Sequence, residues 1–244
     1  MAPDDAPVPS RLSLPQRVQG LLGRISRRLD PRHRMLRAES HAYDAARSIE
    51  TAGIVPLDGL SIDEGRRDSG FIYVPTGPRI FTAFRRALPD DLSRYTFIDL
   101  GSGKGRTLIL AAEAGFDHAI GVEFASELTA VANRNLRAYE GPADTGRITC
   151  VAADAGAYAL PSGPSVIYLH NPFAEDVMER VLANVRASLD ADPREIWLCY
   201  LQLRNEDPGD ETRNVELVEE SGLFRRRPVP RGGVRDRLVL SPFD

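Results

Sequence analysis

The stretch FIDLGSGKGR, residues 97–106, sets an acid directly ahead of a glycine-rich turn. Gly101, Gly103 and Gly105 alternate there, and glycines at a turn permit positive φ and let the backbone approach a ligand closely. A helix starting at Arg106 offers its N-terminal N–H groups to a carboxylate or a phosphate. Three nucleotide-like ligands compete for such a turn. A P-loop needs G-x-x-x-x-G-K-[ST]. Here Lys104 is followed by Gly105, and no glycine stands in the required place. A dinucleotide fingerprint is G-x-G-x-x-G/A, whereas this turn is G-x-G-x-G with Arg106 where a small residue should be. Asp99 separates the alternatives. Two positions before the first glycine, its carboxylate is expected to point into the pocket, where it repels a pyrophosphate and attracts an ammonium group.

On these residues FIDLGSGKGR resembles motif I of the class I S-adenosylmethionine (SAM) methyltransferases. The amino-acid end of SAM carries an ammonium and a carboxylate, which suit Asp99 and the turn of Gly101, Ser102, Gly103 and Gly105. Within AIGVEF, Glu123 matches the acid at the second strand end. The resemblance implies that it accepts hydrogen bonds from both ribose hydroxyls, with Phe124 packed against the adenine. Within AADAGAY, Asp154, followed by Ala155, matches the acid that reads the adenine amino group. YLHNPF is similar to motif IV at the fourth strand end. The resemblance spans residues 95–202, with features at four successive strand ends. It implies SAM as cofactor, S-adenosylhomocysteine (SAH) as product and no metal.

The acceptor has a thinner signature. The sulfonium of SAM is already a good electrophile, so the enzyme need only hold a lone pair in line with the methyl group and exclude water. An amine must first lose a proton. Asn171 is the candidate that orients the acceptor, with Pro172 fixing the backbone and Phe173 beside them. NPF is similar to the [DN]-P-P-[FY] of amino-methylating enzymes but lacks its second proline. HNPFAEDV and YVPTGPRIFTAF are locally similar to segments of the non-SET protein lysine methyltransferases. That likeness makes Tyr73 and Thr76 cofactor or channel residues; a turn that merely starts a packing helix is the other account. His170 could be a base, but alternation puts it on the opposite side of the strand end from Asn171, which favours a structural histidine. Lys104 and Arg106 are expected at the loop rim, touching a carboxylate of SAM or an acidic substrate, or facing solvent. Tyr200 and Gln202 are candidates to line the acceptor pocket. The implied activity is methyl transfer to an amine, a protein lysine being one candidate. A small-molecule N- or O-methyltransferase of bacterial specialised metabolism is the alternative, and a SAM-binding scaffold without catalysis is a third reading.

These residues need a scaffold that brings strand ends together. Apolar runs predict strands over 95–100, 118–123, 147–152, 165–170 and 195–202, with helices over 106–114, 126–139 and 175–189 between them. Strands alternating with helices mean a mostly parallel sheet covered on both faces. A helix over 215–221 and strands over 223–227 and 235–240, joined through PVPRGG, suggest a terminal antiparallel hairpin. The expected fold is therefore α/β: a Rossmann-like seven-stranded sheet with an N-terminal helical extension.

The division expected is a disordered tail over 1–10, a basic helical extension and connector over 11–70, and the methyltransferase domain over 71–244. Within the extension, arginines alternate with Leu14, Val18, Leu21, Leu22, Ile25 and Leu29 at helical spacing. This reads as an amphipathic helix broken at Pro31, then a second helical stretch over 35–52. Its arginines are either solvated or form a surface for an acidic partner. The net charge of −4 gives no overall reason to expect nucleic acid. No apolar run reaches the roughly 20 residues of a membrane span, and MAPDDAPVPS lacks the features of a secretory signal. Cys150 and Cys199 fit buried thiols in a reducing cytosol, so a cytoplasmic location is expected. Lys104 is the sole lysine, and the arginine bias suggests a GC-rich bacterial genome.

Overall fold

The computed structural model describes residues 31–56, 60, 72–201, 213–227 and 237–242 of the chain. Two compact units are Met1–Glu39 and Ser40–Asp244. The expected tail over 1–10, residues 11–30 of the expected basic helix, residues 57–59 and 61–70 of the connector, Gln202 and the PVPRGG turn lie outside the described residues.

The elements in chain order are α1 (Pro31–Ala45), α2 (Pro78–Arg85), β1 (Thr96–Leu100), α3 (Arg106–Glu113), β2 (His118–Glu123), α4 (Ser126–Ala138), β3 (Ile148–Ala152), β4 (Ser165–Leu169), α5 (Glu175–Ala191), β5 (Ile196–Leu201), α6 (Asn214–Glu220), β6 (Phe224–Arg227) and β7 (Arg237–Pro242). The sheet order is β3-β2-β1-β4-β5-β7-β6. β1 to β5 pair in parallel, while β7 runs antiparallel to β5 and to β6. This is the class I methyltransferase fold, with the terminal hairpin at one edge.

The order reverses between β1 and β4, and at such a switch point the loops after neighbouring strands diverge and leave a crevice. β1 and β4 are buried along nearly their whole length, as strands covered by helices on both faces must be. On one face Phe81, Phe84, Phe97, Phe116 and Tyr168 form a continuous aromatic cluster. Phe84 meets Tyr168 edge-on at 5.5 Å, which seats α2 against β4. The other face packs Ile98, Ile167, Leu169 and Leu198 against Met178, Val181 and Val185 of α5.

The N-terminal stretch differs from expectation. Pro31 is the first residue of α1, where its missing N–H costs nothing. The helix ends at Ala45, short of residue 52, because the chain turns at Ser48 with φ 56°. The Asp44 carboxylate then captures the N–H groups of Thr51 and Ala52, each at 2.5 Å. Residues 40–56 thus belong with the sheet.

Candidate functional site

A cavity opens at the switch point, above the ends of β1, β2 and β4. Its wall includes Tyr73, Thr76, Asp99, Gly101, Ser102, Arg106, Glu123, Phe124, Asp154, Ala155, Pro172 and Phe173. The structure brings these expected site residues together. Gly103 and Gly105 lie in the turn beneath, and Asn171 is absent from the wall.

The glycines serve packing as much as conformation. Gly101, Gly103 and Gly105 have φ of 102°, 52° and 83°, which disfavour side chains. A Cβ on Gly101 would come within 2.5 Å of the Pro172 Cβ, and one on Gly103 would come within 2.2 Å of Cδ2 and 2.3 Å of Cε2 on the Tyr73 ring. The Cδ2–Cε2 edge of Tyr73 therefore abuts the turn, and its hydroxyl donates to the Thr51 carbonyl at 2.8 Å.

Asp99 ends near the floor of the cavity and is buried. Thr107, in the first turn of α3, donates to its Oδ2, and its Oδ1 has no partner among the described residues. Burial, aided by the nearby Glu123 charge, pushes the Asp99 carboxyl up to about 7 despite the Thr107 bond. Glu123 is also pushed up by burial, while the N–H groups of Ala125 and Gly103, each at 2.9 Å, hold its charge. Two buried carboxylates side by side, one with an orphaned oxygen, suit a ligand that brings positive charge and hydroxyl donors.

Lys104 and Arg106 do not sit at a solvent rim. Arg106 is buried, and its guanidinium reaches Asp44 Oδ1 at 2.7 Å, Thr51 Oγ1 at 2.5 Å, and both Ser40 Oγ at 2.6 Å and the Ser40 carbonyl at 3.1 Å. Lys104 Nζ donates to the Ala52 carbonyl at 3.1 Å. Asn135 of α4 completes the clasp: its Oδ1 accepts from the Glu50 N–H, and its amide donates to the Glu50 and Lys104 carbonyls. The basic residues of the turn thus fasten residues 40–52, because a buried cation needs paired acceptors.

At the end of β4 His170 and Asn171 lie on different sides, as alternation predicts, but it is His170 and not Asn171 that faces the cavity. Asn171 adopts φ 40°, a left-handed conformation that asparagine tolerates better than most residues. The turn leaves His170, Pro172 and Phe173 on the cavity wall. Asn171 is buried, and its Oδ1 accepts from the Tyr200 hydroxyl at 2.7 Å. Tyr200 likewise is not part of the wall. His170 Nδ1 lies 3.0 Å from Thr76 Oγ1, which is 2.8 Å from the Tyr168 hydroxyl. Burial holds the His170 imidazole down to about 4, outweighing the Val74 carbonyl that favours its proton. The ring is neutral at physiological pH and joins the loop over residues 74–76 to β4.

Asp154 and Ala155 stand beyond β3, across the wall from the glycine turn. Asp154 Oδ1 accepts from the Gly156 N–H at 2.9 Å and Oδ2 from Arg180 Nη1 at 2.9 Å. Arg180, on α5, is a wall residue that sequence reasoning missed. A lone arginine on an exposed helix face carries no local signal of a cavity.

Among the described residues no group of three or more His, Cys, Asp or Glu side chains could hold a metal ion. Both cysteines are free thiols; burial pushes Cys150 up to about 12 and Cys199 up as well, so neither is an activated nucleophile. No helix among the described residues is long and apolar enough to cross a membrane.

The sequence matches no protein-family model and no curated protein. Among solved structures the chain is similar to a ribosomal protein L11 methylase from Lactobacillus delbrueckii subsp. bulgaricus, with 15% identity and TM-score 0.48 over 74% of this chain and 83% of that one. It is similar to the glycopeptide N-methyltransferase MtfA, solved with SAM, with 17% identity and TM-score 0.48 over 68% and 86%. A TehB-like SAM-dependent methyltransferase from Corynebacterium glutamicum has 18% identity and TM-score 0.43 over 66% and 85%. The fold assignment rests on the strand order itself.

Proposed function

We propose that this chain, built on the class I methyltransferase fold, binds SAM in the switch-point cavity and transfers its methyl group to an amine. The observation that carries the reading is the pair of buried carboxylates, Asp99 and Glu123, ending adjacent parallel strands beside a glycine turn. When bound, SAM supplies an electrophilic methyl group on a sulfonium. Asp99 takes the ammonium at its orphaned Oδ1, and Glu123 accepts from the ribose hydroxyls. Phe124 packs on the base, and Asp154 reads its amino group. Tyr73 and Thr76 close the wall beside the turn and exclude water.

The acceptor must arrive with its lone pair, because His170, held down to about 4 by burial, is too weak a base to take a proton from an ammonium, and Asp99, the stronger base on this wall at about 7, is taken up by the ammonium of the cofactor. A free amine meets that requirement. A protein lysine is the acceptor favoured by the local likeness of HNPFAEDV and YVPTGPRIFTAF to the non-SET lysine methyltransferases. Asn171 then acts at one remove: held by Tyr200, it turns the chain so that Pro172 closes over Gly101.

Calorimetry with SAM and SAH tests the cofactor. Both should bind the wild type, and Asp99→Ala and Glu123→Ala should each weaken binding by about tenfold or more. Undiminished binding in both variants refutes the site. Incubation with methyl-labelled SAM and host extract, then separation by size, tests the acceptor. Label confined to small molecules rejects a protein lysine.

A further inference from the structure

Arg180 is the wall residue left without a role by this reading. It comes from α5, while Asp154 follows β3, and the two meet at 2.9 Å across the cavity edge. The arginine lies close along the turn: a Cβ on Gly156 would come within 2.9 Å of both its Cβ and its Nη1. Gly156 is thus the residue that lets the side chain lie there, while its N–H fixes Asp154 through Oδ1. The result is a carboxylate and a guanidinium held side by side on one wall of the cavity. The pairing with Asp154 takes one N–H of a group that carries five. About half of the Arg180 side chain is still exposed.

We propose that Arg180 is a specificity-determining residue that, with Asp154, selects adenine as the base of the cofactor. This rests on the reading of the cavity as a SAM site. The argument is one of complementary edges. Adenine presents a 6-amino donor beside the N1 acceptor. A carboxylate beside a guanidinium presents an acceptor beside a donor, the matching order. Hypoxanthine presents the reverse, an O6 acceptor beside an N1–H donor, so its O6 would face the Asp154 carboxylate and its N1–H the Arg180 guanidinium. A site that hydrogen-bonds one edge disfavours the other because the mismatched edge sets acceptor against carboxylate and donor against guanidinium. Arg180 also fixes where the Asp154 charge points, so both halves of the discrimination pass through it.

The test compares SAH with S-inosylhomocysteine, which differs only at the base, by calorimetry on the full-length chain. The wild type should prefer SAH, and Arg180→Ala should cut that preference by about tenfold. Arg180→Lys, which keeps the charge but not the planar fork, should also lose most of it. The ratio of the two ligands is a readout that general damage to the fold would not move selectively. An Arg180→Ala preference within about twofold of wild type would overturn the proposal, as would a wild type that does not prefer SAH. A wild type that binds neither ligand would instead overturn the SAM reading itself.

Discussion

Burial and the neighbouring Glu123 push the Asp99 carboxyl up to about 7, far from the value of about 3.9 expected in an unfolded chain. Two consequences follow with definite signs. A ligand ammonium binds the ionised form, so SAH affinity should fall as pH drops below about 7, by up to tenfold per unit, and level off above it. Calorimetry between pH 5.5 and 8.5 checks this, and Asp99→Asn should abolish the slope along with most of the affinity. The same shift bears on stability. A carboxyl whose folded pKa is raised contributes stability that is full below its unfolded value and is lost as pH rises through its folded value. Ligand-free Asp99→Asn should therefore be more stable than wild type at pH 8, by about 1 kcal/mol or more, or roughly 2–4 °C in thermal unfolding. The advantage should vanish near pH 4. Gly103 makes a second point at this scale. Gly103→Ala demands space that the Tyr73 ring occupies, at a φ of 52°. It should cost about 1–3 kcal/mol in urea denaturation and weaken SAH binding by displacing Tyr73.

At the scale of elements, the segment from Ser40 to Ala52 is clasped to α3 and α4 by a buried ion pair and its hydrogen bonds. Asp44→Asn leaves the Arg106 guanidinium without its counter-charge, which should destabilise the protein by about 3–5 kcal/mol. Hydrogen exchange should show protection lost first at Thr51 and Ala52, whose N–H groups Asp44 accepts. This clasp was not legible in the sequence. Asp44 and Arg106 are 62 residues apart, and a pairing over that distance leaves no periodicity or motif. The parallel strands were legible, because each is an apolar run bounded by turn residues, and His118–Glu123 and Ser165–Leu169 fall where the pattern puts them. The acids at their ends were legible for the same local reason. Asn171 misled because alternation separates His170 from Asn171 without saying which of the two faces the cavity; Asn171 turns away at φ 40° and leaves Pro172 on the wall.

For the molecule as a whole, the boundary between compact units falls at Glu39 and Ser40, ahead of the clasp. A chain starting at Ser40 should fold and bind SAH as the full chain does. One starting at residue 57 lacks the partners of Arg106 and Lys104 and should do neither, as circular dichroism and calorimetry would report. Sequence reasoning separated tail from sheet by composition, which could not see that residues 40–56 are part of the sheet's unit. The buried position of Lys104 gives this organisation a practical signature. As the sole lysine of the chain, it supplies a lysine-specific endoprotease with a single scissile bond, Lys104–Gly105, inside the glycine turn. Cleavage requires the clasp to open, so the appearance of one cut yields a clock for that opening. The clock should run slowly in the native protein, more slowly with SAH and faster in Asp44→Asn.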